Sequence, residues 1–460
     1  METTMQNSAQ RASLAATFLA PLALQAGAAG FVEDSKASLG LRNFYINADN
    51  REGSAAPSRQ EEWGQGFMLN YASGFTPGTV GVGVDALGLL GVRLDSGKGT
   101  HFESTSQQGG TVFPSDSDGR AVDEFSSLGL TAKARLSNTE LRYGTLQPKL
   151  PVVIANDGRL LPTTYEGGQI NSTDLKDFTL VAGRLEHSKG RNSTDQRSLT
   201  IAGANGSSAS ARDSNQFYYA GGDYKASKDL TLQYYFGNLE DFYQQHFVGV
   251  LHNWAIGPGV LKSDLRAFDS RSDGKNGSAA GRADGYLASG YYGNGVTKGE
   301  VDNRVLSGLF TYVLGGHSVG AGYQAINGDS DFPFFNRGDG EGSSSYLSTD
   351  VQIGKFQRAG ERTWQLRYAY DFAAAGLPGL TFSSVYLHGD GIDTNQGGKG
   401  EWERDFTLSY VVQGGSFKGL GFSWRNAALR SELPVSGAGS PTQRDQDENR
   451  LIVSYSLPLF

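Results

Sequence analysis

"RTWQLRYAYDF", residues 362–372, places Trp364, Leu366, Tyr368, Tyr370 and Phe372 on one parity and Thr363, Gln365, Arg367, Ala369 and Asp371 on the other. A period of two belongs to a strand, since a helix repeats every 3.6 residues. The same alternation recurs along the chain. In "DFTLSYVVQ" Phe406, Leu408, Tyr410 and Val412 oppose Thr407, Ser409 and Gln413, and in "DLTLQYYF" Leu230, Leu232, Tyr234 and Phe236 oppose Thr231, Gln233 and Tyr235. The closing strand carries Leu451, Val453, Tyr455, Leu457 and Leu459 on one face; Ile452 interrupts a polar face that Ser454 and Ser456 keep.

Two architectures use such strands. In a soluble sandwich the apolar face is the core. In an outer-membrane barrel it meets lipid, and the polar face lines a lumen. Three features favour the barrel: aromatics toward the strand ends on the apolar parity, short turns alternating with long polar loops, and a final strand ending on Phe460. Composition agrees. The 460 residues include 64 Gly, 11% aromatics, 3 Met and no Cys, which suits strands and turns and removes disulfides, thiolate catalysis and Cys-ligated zinc. A net charge of −8 disfavours nucleic-acid binding. Beyond the N-terminus no apolar run is long enough for a transmembrane helix. Arg11 followed by "ASLAATFLAPLALQAGAAG" reads as an export signal over residues 1–30, leaving 31–460 as the barrel.

Alternation and turn signals give nineteen candidate strands, starting near 37, 64, 78, 126, 138, 164, 177, 216, 229, 243, 260, 304, 317, 346, 362, 379, 403, 419 and 449. Bacterial barrels have even strand numbers. The weakly patterned run "YLSTDVQIGKF" from 346 is therefore assigned to a loop, leaving an all-β antiparallel barrel of eighteen strands. Short turns such as "LSN" at 136–138 and "ASKD" at 226–229 fit the periplasmic side. Long loops at about 94–125, 186–216, 270–303, 325–361 and 430–448 fit the other.

Charge on the polar parity points into the lumen, because an arginine facing lipid at mid-depth costs roughly 2–4 kcal/mol. Arg42, Arg367, Arg425 and Arg450 all carry the inward parity. Several such groups offer successive bidentate sites for a carboxylate, shallow enough for a solute to leave again. "LQPKLPVVIANDGRLLP", residues 146–162, follows an outward-going strand and is stiff, apolar and then charged. It is expected to fold back into the barrel, anchored by Val152, Val153 and Ile154, with Asp157 and Arg159 presented to the lumen. Residues 325–361 form a second candidate plug, with Asp329, Asp331, Asp339 and Glu341 beside Phe332, Phe334 and Phe335. Acids there, opposite the arginines, would set up a transverse field. A calcium site is the rival reading of these acids, and their spacing does not match an EF-hand. The six His are scattered, and neither H-E-x-x-H nor G-x-S-x-G occurs, so no enzyme and no cofactor are expected.

"GFVEDSKASLGLRNFYINAD", "LPVVIANDGRLLPTTYEGGQI", "GERTWQLRYAYDFAAAGLPGLTF" and "NRLIVSYSLPLF", in that order, resemble the OprD (Occ) family of substrate-specific outer-membrane porins of pseudomonads. The resemblance implies an eighteen-stranded barrel narrowed by inward-folded third and seventh loops. It also implies a basic ladder on one wall that passes small carboxylate solutes, carried here by Arg42, Asp157, Arg159 and Arg425. Ser423 stands where some members have a further arginine, which thins the ladder. Within the family, channels for cyclic or aromatic carboxylates are favoured over those for basic amino acids or peptides. Expected partners are these solutes and outer-membrane lipid and lipopolysaccharide, with the barrel a monomer or a weak homotrimer. The alternative is a barrel enzyme, or an adhesin-like barrel without selective transport.

Overall fold

The computed structural model describes residues 30–51, 58–97, 100–101, 112–203, 212–290, 299–338, 341–435 and 443–460. The expected export signal, apart from Gly30, lies outside them, as does Asp339. Eighteen strands form the wall. The first six are β1 (Lys36–Asn50), β2 (Arg59–Ala72), β3 (Val80–Asp95), β4 (Glu124–Leu136), β5 (Thr139–Leu146) and β6 (Thr164–Ser172). Then come β7 (Phe178–Lys189), β8 (Phe217–Lys225), β9 (Leu230–Leu239), β10 (Tyr243–Ile256), β11 (Gly259–Ser272) and β12 (Asp302–Leu314). The last six are β13 (His317–Asn327), β14 (Arg362–Asp371), β15 (Leu380–Ile392), β16 (Lys399–Val411), β17 (Gly421–Ser431) and β18 (Gln446–Pro458).

Each strand pairs antiparallel with its sequence neighbours, and β18 returns to β1 with Leu41 opposite Tyr455 and Ser38 opposite Pro458. Closure leaves the wall without a free edge, as a strand sheet in lipid requires. The chain end takes part: the Ala37 amide donates to the Phe460 carbonyl at 3.1 Å, and the Leu459 amide donates to Ala37 at 2.8 Å. Pro458 therefore sits at the ladder's end, where its missing N–H does least harm. Gln196–Ser198 adds a short side strand to β7. The run from 346 is not a wall strand.

Outward parity is apolar and exposed, as at Leu128, Tyr323, Leu366 and Trp424. Among the described residues no helix is long and apolar enough to cross a membrane; this chain crosses with strands. Connections on the long-loop side are less uniform than the sequence suggests. Residues 51–58, 240–242 and 393–398 are short links on that side. A strand pair already fixed by its wall neighbours needs no long loop to turn.

The interior is plugged rather than empty. Lys149–Leu150 pairs with Val153–Ala155, which pairs with Glu341–Ser344, which pairs with Asn336–Gly338. The two inward segments, 147–163 and 328–361, thus share one four-stranded sheet. Its apolar side joins Val152, Val153, Phe332, Phe334 and Phe335 to inward residues of β6, β8 and β10, including Tyr165, Phe217 and Phe247.

Candidate functional site

Strand register creates the site. Trp424 and Leu451 face out, so Arg425 on β17 and Arg450 on β18 face in, and the ladder sets them directly opposite each other. Arg42 on β1, opposite Ser454 of β18, extends the same wall patch. The loop between β5 and β6 crosses to this wall. Val152 packs on Gly237 of β9, where a Cβ would lie 3.0 Å from Val152 Cβ. At the far end Leu160 and Leu161 are buried with Phe44, Ile46 and Phe113. Leu160 sits on Gly64 and Gly66 of β2. A Cβ at Gly64 would lie 2.8 Å from Leu160 Cδ2 and 2.6 Å from Phe113 Cζ, so only glycine permits this approach.

Between these anchors the charged half meets the basic wall. Arg42 donates to both Asp157 oxygens, at 2.7 and 3.2 Å, and to the Arg159 carbonyl at 2.7 Å. Arg159 lies 3.6 Å from Glu448. Glu448 also pairs with Arg450 and accepts from Gln352 Nε2 at 3.0 Å, while Arg450 Nη2 donates to the Gln352 carbonyl at 3.0 Å. Arg191 Nη1 holds Asn156 from the β7 side at 2.9 Å. Five of the sequence-derived residues, Arg42, Asp157, Arg159, Arg425 and Arg450, therefore form one cluster.

Arg367, Asp329 and Asp331 lie elsewhere, and Glu341 opens a strand of the inward four-stranded sheet. Arg367 on β14 donates to Gln365 at 2.8 Å and to the Ser348 carbonyl, and Arg266 on β11 donates to the Tyr346 carbonyl at 2.8 Å. Both guanidiniums hold the second inward segment by its backbone. Asp331 is buried, accepting from Arg358 at 3.0 Å and from the Ala359 amide at 3.1 Å. Its carboxylate fastens the segment to itself rather than facing the arginines. Asp329 lies in the same outer region, where burial and then the neighbouring Asp302 and Asp393 push its pKa up. Neither acid joins the Arg42 cluster. No group of His, Cys, Asp and Glu able to hold a metal occurs among the described residues.

A family model for the outer membrane porin, OprD family, matches residues 29–459. The chain belongs to the OprD family. This porin of the outer membrane is 38% identical over 442 residues to the porin-like protein GalP of Pseudomonas putida, covering 96% of each chain. Its structure is similar to the crystal structure of Pseudomonas aeruginosa OccK8 (OprE), with TM-score 0.85 and 72% identity over 94% of this chain and 100% of that one. It is also similar to Pseudomonas aeruginosa OpdK, whose crystal structure was determined with vanillate, at TM-score 0.78 and 36% identity over 93% of this chain and 100% of that one.

In this OprD-family porin a wall acid, Glu448, joins the loop's Asp157 in facing the arginines. Glu448 is buried two residues before Arg450, on the same parity. Glu403 on β16 accepts the Ile353 amide at 2.9 Å and the Gly354 amide. The alternation in "EWERDF" and "DENRLIVS" held that signal: residues two apart share a face. Glu361, just before β14, is buried against Glu401, and desolvation followed by that like charge pushes its carboxyl well above the usual range. On the opposite side of the first inward loop a cavity of about 650 Å³ opens, lined by Asn70, Asp85, Arg142, Gln147 and Phe460. It reaches from the loop to the end of the barrel where β1 starts and β18 ends.

Proposed function

We propose that this porin passes small solutes bearing a carboxylate by facilitated diffusion, and that Arg425 is the group on which the carboxylate docks. One observation carries the reading. Among the described residues Arg42, Arg159 and Arg450 each have a carboxylate or carbonyl partner, whereas Arg425 has no hydrogen bond or salt bridge, and its Nε is buried without an acceptor. Arg425 lies beside Arg450 and Arg42, so four guanidiniums face the two carboxylates of Asp157 and Glu448. An anion that accepts two parallel N–H bonds relieves both the missing acceptor and the crowding of like charge. Asp157 is half exposed, so the cluster is open to a solute bearing a carboxylate. The vanillate in the OpdK structure is a solute of that chemistry. Passage needs only weak successive sites, so no cofactor and no energy source enter the mechanism. The barrel works as a monomer or a weak homotrimer embedded in outer-membrane lipid and lipopolysaccharide.

The test is planar-bilayer recording with benzoate, arginine and a neutral sugar. Benzoate is expected to block the current, and Arg425→Ala to weaken that block about tenfold, since a charged hydrogen bond contributes about 1.5–3 kcal/mol. Equal block in both proteins removes Arg425 as the docking group. Absence of discrete channel openings in the parent protein would favour a barrel without selective transport.

A further inference from the structure

The outer wall of β17, β18 and β1 changes character within one register step, while β16 keeps Phe406 beside Asn426 and turns polar one step later, at Arg404. The last outward row on these strands contains Tyr45, Leu451 and Trp424. The next contains Asn47, Asn449 and Asn426, three amides aligned across three strands, with Asn426 donating to Asn449 at 3.1 Å. Beyond them lie Asp49 and Asp447, then Arg51 and Arg430. These residues surround a cavity of about 370 Å³ that also includes Trp402 and Arg404. All sit toward the long-loop end of an outward face, so the switch from apolar to polar marks the outer-leaflet interface.

The charges within the cavity are unequal in their pairing. Arg51 Nε donates to Asp447 at 2.7 Å and Arg430 lies 2.8 Å from the same carboxylate, while Asp445 lies 3.8 Å from Arg430 and Asp49 3.5 Å from Arg51. No carboxylate pairs with Arg404 among the described residues. Among the described residues its guanidinium bonds only to the Asn426 amide oxygen, at 3.1 Å, and stands 4.8 Å from the Phe406 ring on its own lipid-facing parity. An outward arginine at the apolar boundary snorkels toward the headgroups, where an anionic group can pair with it. Trp402, stacked on Tyr386, adds a flat face beside the amides, which are donors and acceptors for hydroxyls.

We propose that this cavity binds the phosphorylated sugar headgroup of an outer-leaflet glycolipid, with Arg404 as its phosphate contact. The site is separate from the lumen, because Arg404 and Arg425 point to opposite sides of the wall. The experiment uses the detergent-purified channel and native mass spectrometry. Diphosphoryl lipid A and phosphatidylglycerol are titrated in turn, with EDTA present throughout. Lipid A is expected to bind, phosphatidylglycerol to bind more weakly, and Arg404→Gln to lose about tenfold in lipid A affinity. Arg404→Gln should keep the parent single-channel conductance, which shows that it folds. If it does not, Arg430→Gln probes the same cavity and should lose affinity likewise. Equal binding of the two lipids, equal affinity in parent and variant, or no lipid A binding without divalent cations would each overturn the proposal.

Discussion

Replacing Leu160 by alanine tests whether the inward loop sets the pore. Leu160 is fully buried, wedged over Gly64 and Gly66 with its carbonyl 3.1 Å from where a Cβ of Gly66 would stand. Truncating a buried leucine costs about 2–5 kcal/mol. The wall ladders do not include Leu160, so the loss falls on docking of the loop rather than on the barrel. Taking about 3 kcal/mol, the docked state loses a factor of about 100 against the undocked one. Single-channel recording should show higher conductance or a noisier open state, while resistance of the folded barrel to unfolding in SDS on heating stays near the parent. Asp157→Asn provides the scale. Its pair with Arg42 is half open to solvent, Asp157 being 47% exposed, so the loss is about 1 kcal/mol or less and the conductance change smaller. An unchanged open state in Leu160→Ala, or a larger effect from Asp157→Asn, would refute the view that apolar anchoring holds this loop.

Other outcomes follow from the same contacts. Glu448→Gln removes the buried carboxylate between Arg159 and Arg450, so reversal potentials should shift toward greater anion permeability; an unmoved potential would exclude Glu448 from the field in the lumen. Gly64→Val forces a side chain into Leu160 and Phe113 and should reproduce the noisy channel of Leu160→Ala, whereas the parent conductance would mean that the loop accommodates it. In the turn between β6 and β7, Asp174 accepts from the Ser137 and Thr139 hydroxyls at 2.6 Å each and from the Asn138 amide at 3.0 Å, which lowers its pKa to about 2. A carboxyl depressed below its unfolded value of about 3.9 stabilises above that pH and loses the effect as pH falls toward 2. The Tm gap between parent and Asp174→Asn should therefore be present at pH 7 and close across that window; a pH-independent gap would assign the effect to shape alone.

Alternation determined the strands, and the sorting of short and long loops with the even-number rule for bacterial barrels turned them into a barrel. Parity is a local property, and every strand repeats it, so the sequence alone located eighteen strands with starts within a few residues of those observed. It also assigned "YLSTDVQIGKF" to a loop and aimed Arg42, Arg425 and Arg450 inward. "LPVVIANDGRLLP" announced a folded-back loop through its prolines and its apolar-to-charged change. Parity cannot say which inward charges meet, because that depends on register between strands far apart in sequence and on where two loops cross the lumen. Tertiary structure alone brought Asp157 to Arg42 and Glu448 between Arg159 and Arg450. It also set Arg367 against the backbone of the second loop, and buried Asp331 under Arg358. It made Leu160 and Leu161 the loop's second anchor, because two glycines on β2 leave room for a leucine only where the closed wall brings it. Among the described residues it left the Arg425 Nε without an acceptor, a property of the assembled wall that no single strand contains.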